Sequence, residues 1–403
     1  MEKELLNCIV SSRTTNPQMK LHFLFDYNRA NRETLSLEDG KKLGKSSKYL
    51  LIPLVKNYNA KISFFLTQKL SGWKRPIQKR QEWNELCALH HMKLYIFDNN
   101  IIISGANLSD IYFKQRQDRY VLIRDAPELC NYFDKVIQTV SFFSMNLNPD
   151  GKFSLHNNWK FDPRIGSERS NFDKAALNAI YNMNTQFIDK QNNLDITSND
   201  TFAIPLLNIA SIGQHDEENF TLDFLKNIPQ ESELHIASGY FNLTQKYQNI
   251  LLKHRKANSI LMASEQANGF YNGRGLLKFV PFVYTTYLKS FIKKLQKTKN
   301  IPITKIWYFN KPEWSFHAKG IWLFSSKYFI TFIGSSNFGY RSVERDNESQ
   351  LVIISKNNHL KDAFQNELID MIKNSKEIVN TDNDLPIVPL WIRCYARIFR
   401  SYF

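Results

Sequence analysis

The chain has 403 residues, 43% of them hydrophobic, which is enough to bury a sizeable core in two domains of ordinary size and excludes a disordered protein. Its 53 Lys and Arg against 38 Asp and Glu leave a formal charge of +15, which favours a partner carrying phosphates, whether nucleic acid, anionic lipid or nucleotide. Four scattered cysteines, Cys8, Cys87, Cys130 and Cys394, have no C-x-x-C spacing and so indicate neither a zinc site nor a disulfide framework; no apolar run approaches the ~18 residues of a membrane span.

The opening Met1-Glu2-Lys3-Glu4 lacks the Arg- and Ser-rich, acid-poor character of a transit peptide, so no targeting signal is expected there. Residues 21–25 are apolar and end at Asp26, as a buried strand does, and 48–55 follow as a helix. A second strand is expected at 61–66. A basic loop over 68–80 carries Lys69, Lys74, Arg75, Lys79 and Arg80 around Gly72 and Pro76, and phosphate contact is one use for it. Strands at 94–97 and 101–103 are turned by Asp98-Asn99-Asn100, and a helix spans 126–145.

The polar stretch 146–171 reads as the link between halves. A helix at 172–191, a loop at 192–200, a helix at 220–228 and a strand at 233–237 then lead to Ser238-Gly239-Tyr240-Phe241-Asn242, a polar and aromatic turn at a strand end. Beyond it come a strand at 259–263, a Gly/Asn-rich loop at 268–275 and an amphipathic helix at 280–297. Strands alternating with helices predict an α/β protein with a mixed or parallel sheet covered by helices.

One constellation occurs twice. His91-Met92-Lys93 runs to Ser104-Gly105-Ala106-Asn107, and His317-Ala318-Lys319 runs to Gly334-Ser335-Ser336-Asn337; eleven residues after each asparagine stands a carboxylate, Asp118 or Glu348. Repeats so few and so far apart indicate a duplicated domain and not a solenoid. A single His-x-Lys is commonplace on a surface, and it is the second copy with the same offsets that marks chemistry. On a strand, His and Lys two apart share a face, so an imidazole and an ammonium can engage one phosphate. Asn107 and Asn337 can donate amide N–H groups to phosphoryl oxygens, with Ser335 beside them, and Asp118 and Glu348 can hold a histidine Nδ1–H and fix its tautomer. His90 faces away from His91 and is taken as structural.

These residues resemble the signature of the phospholipase D superfamily, H-x-K-x4-D followed by a small-residue turn and Asn. The first copy is full, with His91, Lys93, Asp98 and Asn107; the second has His317, Lys319 and Asn337, but Phe324 stands where the Asp would be. More narrowly, the segment Ile333-Gly334-Ser335-Ser336-Asn337-Phe338-Gly339-Tyr340-Arg341-Ser342-Val343, with those around His91, Arg116, Ser238 and Trp314, is similar to the eukaryotic mitochondrial CDP-diacylglycerol–glycerol-3-phosphate 3-phosphatidyltransferases. The resemblance implies two pseudo-symmetric phospholipase D-like halves, each a mixed sheet flanked by helices, with the active site at their interface. The halves would be 1–150 and 172–380, joined by 151–171 and followed by an aromatic and basic segment, 381–403. It also implies a helix and strand ahead of residue 4 that are not in this sequence, so the first half is expected to lack its opening strand.

The implied chemistry is phosphatidyl transfer from CDP-diacylglycerol to glycerol 3-phosphate through a phosphatidyl-histidine. His91, Lys93, Asp98, His317 and Lys319 would be catalytic, Asn107, Asn337 and Ser335 would bind substrate, and Asp118 and Glu348 would orient the histidines, with no metal or cofactor. Lys74, Arg75, Arg274, Arg341 and Arg345 are candidates for selecting the dianionic acceptor. Partners would be the two substrates and an anionic membrane surface, reached through 280–297 and 391–403, with nucleic acid unlikely; mitochondrial location, peripheral on the inner membrane, rests on the resemblance. A phosphodiesterase or nuclease using water, and an inactive lipid-binding homologue, are the alternatives.

Overall fold

The computed structural model describes residues 3–31, 33–35, 42–67, 88–191, 199–229, 231–253, 258–298 and 304–403. The basic loop 68–80, Cys87 and most of the loop 192–200 lie outside the described residues.

The second half is built on one mixed sheet whose spatial order is Thr201–Ile209, Asn347–Ser355, Phe329–Gly334, Lys319–Phe324, Glu233–Ser238, Asn258–Ala263, Thr304–Phe309 and Ser375–Glu377. Its central strands are mainly apolar because both faces are covered, and every residue of Asn258–Ala263, Lys319–Phe324 and Phe329–Gly334 is buried. Thr201–Ile209 was not anticipated, since Pro205 interrupts its pattern. It is the edge strand, and there a proline needs no ladder N–H.

The first half repeats this design in two pieces. The hairpin Leu94–Phe97 and Asn100–Ser104 pairs with Tyr120–Ile123, as Lys319–Phe324, Phe329–Gly334 and Asn347–Ser355 do. The parallel pair His22–Asp26 and Lys61–Phe65, with antiparallel Met145–Leu147, repeats Asn258–Ala263, Thr304–Phe309 and Ser375–Glu377. In the second half Glu233–Ser238 joins the two groups into one sheet. Among the described residues no strand stands in the corresponding place, so the first half divides there into separate sheets. Met145–Leu147, where the end of the helix was expected, and Phe153–Ser154, inside the expected link 146–171, supply two strands to the first-half sheet.

Asp98 and Phe324 illustrate the inequality of the halves. The first hairpin turns after Phe97, leaving Asp98 exposed in a left-handed conformation, φ 52°, which Asp tolerates. The second strand runs two residues longer, and Phe324 is buried in the core, where an aspartate would be stranded.

Both halves share one core. Helices Pro127–Phe142, Arg169–Gln191 and Asn358–Lys373 place Phe133, Val136, Val140, Phe172, Ile180, Phe364 and Leu368 at helical spacing against Phe65, Ile103, Trp322 and Leu351 from both sets of strands. Each such aromatic or branched side chain stabilises by roughly 1.5–3 kcal/mol on burial. The halves are also pinned by Arg119, 1% exposed, whose guanidinium stacks on Trp322 and bonds Glu367 through both Nε and Nη2 at 2.9 Å. It donates further to the Phe332 carbonyl and Thr331 hydroxyl. Gly320 makes room for it: a Cβ there would collide with the guanidinium and with the Phe332 oxygen. Helix Val280–Lys297 buries its apolar face in the body of the second half, and the C-terminal segment from Leu390 packs upon it through Ile392, Ala396 and Phe403.

Candidate active site

The two copies of the constellation meet at the boundary between the halves and exchange carboxylates. The His91 Nδ1 lies 3.0 Å from Glu348, and the His317 Nδ1 lies 2.7 Å from Asp118. Each histidine is therefore held by the carboxylate of the opposite half. The backbone sets this up in the same way on both sides, because the His91 N–H donates to the Asn347 carbonyl and the His317 N–H donates to the Gln117 carbonyl, both at 2.8 Å. Short parallel pairings, Leu89 to His91 against Asn347 and Ser315–Phe316 against Arg116–Gln117, carry these bonds. With both Nδ1 atoms engaged, Nε2 is the ring nitrogen of each left to face a ligand.

Lys93 and Lys319 are buried beside their histidines, each Nζ donating to the carbonyl of the His two residues back at 2.5 Å. Gly105 admits the second-half lysine, since a Cβ there would stand 2.7 Å from both the Lys319 Nζ and the Asp118 Oδ1. Asn107 donates to the Tyr112 hydroxyl at 2.9 Å, and the Asn337 Oδ1 is buried with no hydrogen-bond partner. Above these groups opens a cavity of about 100 Å³ lined by His91, His317, Asn107 and Asn337 together with Arg29, Arg341, Tyr240 and Phe403.

The electrostatics of the two pairs differ. Burial first, then the Lys93 charge, hold the His91 imidazole well below the usual histidine range; burial and then Lys319 bring His317 down to about 3, against the pull of Asp118. Both rings are thus neutral near pH 7. Burial would raise Asp118, but Lys319 and His317 outweigh it and keep the carboxyl below its ordinary value, whereas burial and then Asp346 push Glu348 up to about 8 with Lys93 opposing. Burial also lowers both lysines.

Eight of the ten expected residues converge here: both histidines, both lysines, both asparagines and both carboxylates. Ser335 is fully buried beneath the cavity, where its hydroxyl accepts from the Ser349 N–H and supports Glu348. Asp98 is not brought to the site. It stands at the far tip of the hairpin, on the order of 15 Å from Lys93 at the rise of a strand. Of the basic candidates, Arg341 lines the cavity, Arg345 is bonded to Ser401, Arg274 is exposed, and Lys74 and Arg75 lie outside the described residues.

Arg29 and Asp346 were not anticipated. Asp26 caps the turn carrying Arg29 and also accepts from the His90 N–H, while Asp346 accepts from the Leu89 N–H at 2.7 Å and from Arg341 at 3.0 Å. The signal for Arg29 was present in Asp26-Tyr27-Asn28-Arg29, a polar and aromatic turn at a strand end like that at Ser238. His91, Asp346 and Glu348 bring ligand-type atoms within 4.8 Å of one another, but both Asp346 oxygens already serve N–H groups of the chain.

Two halves pooling His, Lys and Asn over one cavity are the arrangement expected from the resemblance to the phospholipase D superfamily. No family model matches the chain. In overall fold it is similar to the phosphatidylserine synthase of Haemophilus influenzae, with a TM-score of 0.71 and 16% identity over 100% of this chain and 87% of that one. The chain is 30% identical to the human mitochondrial CDP-diacylglycerol–glycerol-3-phosphate 3-phosphatidyltransferase, covering 100% of itself and 76% of the human protein. It is 32% identical to the enzyme of that name from Saccharomyces pastorianus, covering 94% and 77%. The chain belongs to the family of CDP-diacylglycerol–glycerol-3-phosphate 3-phosphatidyltransferases.

Proposed function

We propose that the chain transfers the phosphatidyl group of CDP-diacylglycerol to glycerol 3-phosphate, giving phosphatidylglycerophosphate and CMP. The observation that carries this reading is the crossed pairing of two neutral, buried histidines with opposite-half carboxylates over one cavity. The His91 Nε2 attacks the phosphorus bearing diacylglycerol, and the bond from that phosphorus to the CMP oxygen breaks. CMP departs as a phosphate anion, so this step needs no proton from His317. The His317 Nε2 then takes the proton of the sn-1 hydroxyl of glycerol 3-phosphate, the oxygen attacks phosphorus, and the N–P electron pair returns to His91. Lys93, Lys319, Asn107 and Asn337 stabilise the non-bridging oxygens, and being fixed beforehand they need no reorganisation as charge develops.

The lipid substrate places the protein on a membrane, and its relatives' mitochondrial location extends to it as a peripheral protein of the inner membrane. Among the described residues no helix is long and apolar enough to cross a bilayer. Helix Leu390–Ile398 supplies the contact: Ile392 and Ala396 face the body, while Leu390, Trp391 and Ile398 are 67%, 50% and 72% exposed, flanked by exposed Arg393 and Arg397. The Trp391 ring packs on Phe279, beside exposed Leu276, which widens the same face.

The test is incubation with CDP-diacylglycerol and labelled glycerol 3-phosphate in EDTA. Labelled lipid with stoichiometric CMP is expected. CMP without labelled lipid identifies a hydrolase, and no turnover refutes the transferase.

A further inference from the structure

The site as described accounts for one phosphate, the group being transferred, yet the proposed acceptor carries another, and of the basic candidates for it that lie among the described residues only Arg341 lines the cavity. The cavity lining carries a cation from each half. Arg29 reaches it from the first half, from the turn after His22–Asp26, and Arg341 reaches it from the second half, four residues after Asn337. Both are held by neighbours that also fix the segment before His91. Asp26 bonds the Arg29 N–H and the His90 N–H, and Asp346 bonds the Arg341 Nε and the Leu89 N–H.

A third guanidinium approaches the same place. Arg116 stacks on the Tyr112 ring at 4.4 Å and bonds the Ser315 hydroxyl at 2.8 Å. One point beside Gly269 lies 2.9 Å from the Tyr240 hydroxyl and 3.4 Å from the Arg116 guanidinium. Tyr240 lines the cavity and packs edge-on against His317 with ring centroids 5.6 Å apart. Burial pushes the Tyr240 phenol up to about 12 against the pull of Arg116, Arg29 and Arg341, so it stays a neutral hydroxyl donor that shares the cavity lining with Arg29 and Arg341 and the space beside Gly269 with Arg116. The three guanidiniums stand against the carboxylates of Asp26 and Asp346 and Lys319 stands against Asp118, while burial lowers Lys93 and raises its neighbour Glu348, driving both toward their neutral forms. The site is therefore cationic before substrate enters.

We infer that Arg29, Arg116 and Arg341, with the Tyr240 hydroxyl, form a subsite for a phosphate monoester dianion, seating the phosphate of the acceptor whose hydroxyl meets His317. This rests on the transferase reading above. Guanidinium groups suit the task because they stay charged when buried and present paired N–H donors to phosphate oxygens. Glycerol, which can offer the same hydroxyl, brings no phosphate to these donors.

The experiment compares glycerol 3-phosphate with glycerol as acceptors from CDP-diacylglycerol in the wild type, Arg29→Gln and Arg116→Gln. The preference is a ratio of kcat/KM values within one preparation, so a reduced folded fraction cancels. Each substitution should lower that preference roughly 10- to 100-fold, the worth of a charge-assisted hydrogen bond, mainly through the KM for glycerol 3-phosphate. Inorganic phosphate should compete with glycerol 3-phosphate in the wild type, and more weakly in Arg29→Gln. An unchanged preference in both variants, or an equal rise confined to the KM for CDP-diacylglycerol, overturns the subsite while leaving transfer intact. A wild type that uses neither acceptor overturns the transferase reading and the subsite with it.

Discussion

Glu348 and Asp118 hold equivalent places in the two halves, yet their surroundings shift them in opposite directions, and the proposed mechanism gives their histidines different tasks. Asp118, kept ionised by Lys319 and His317, holds His317 with its Nε2 lone pair outward, as a base requires. Asp118→Asn should cost about 10²–10⁴ in phosphatidyl transfer, measured as labelled lipid formed, through loss of that tautomer. Burial and then Asp346 raise Glu348 to about 8, and in the proposed mechanism loss of its proton leaves the remaining one on the His91 Nδ1, which frees Nε2 to attack. The attacking form therefore grows as pH rises through about 8. The rate of CMP release should climb between roughly pH 7 and 9, and Glu348→Gln, which accepts the same N–H without titrating, should give a slower rate with that limb gone. An unchanged limb in the variant would separate it from Glu348.

At the scale of elements, the halves are locked by side chains that cross between them. Arg119→Ala leaves Glu367 half-covered and opens space beside Trp322; loss of about 3–5 kcal/mol is expected, read as a lower midpoint in urea unfolding. Gly320→Ala should destabilise by about 1–3 kcal/mol because neither the guanidinium nor the Phe332 carbonyl can move away cheaply. Much at this scale was legible in the chain. The strands at 61–65, 94–97 and 233–238 and the helix Val280–Lys297 follow from apolar periodicity, and the duplicated His, Lys and Asn stand at matched offsets. The exchange of carboxylates was not legible, since an offset of eleven residues is the same whether Asp118 serves His91 or His317. Arg29 was hidden for a similar reason: it lies 62 positions before His91 and comes beside it only because His22–Asp26 ends at the cavity. Asp98 misled because a motif position was read as a site position, where the hairpin makes it a turn residue.

Taken as a whole, the molecule is two unequal copies of one design closed on a shared core, with the exposed apolar face of Leu390–Ile398 at one side. The amphipathic helix Val280–Lys297, one of two segments expected to meet lipid, is buried in the body, and the outward apolar face belongs to Leu390–Ile398. Trp391→Glu with Ile398→Glu should weaken flotation with anionic vesicles about tenfold or more while leaving the melting temperature nearly unchanged, because both side chains point outward. Retained flotation would place the membrane face elsewhere.

In the proposed mechanism His91 carries the phosphatidyl group between donor and acceptor. The direct measurement is exchange of labelled CMP into CDP-diacylglycerol with glycerol 3-phosphate omitted. Wild-type protein should catalyse the exchange, His91→Ala should abolish it, and His317→Ala should lose transfer to glycerol 3-phosphate far more severely than it loses exchange. Protein that forms phosphatidylglycerophosphate but shows no CMP exchange, or exchanges equally well without His91, would contradict the account.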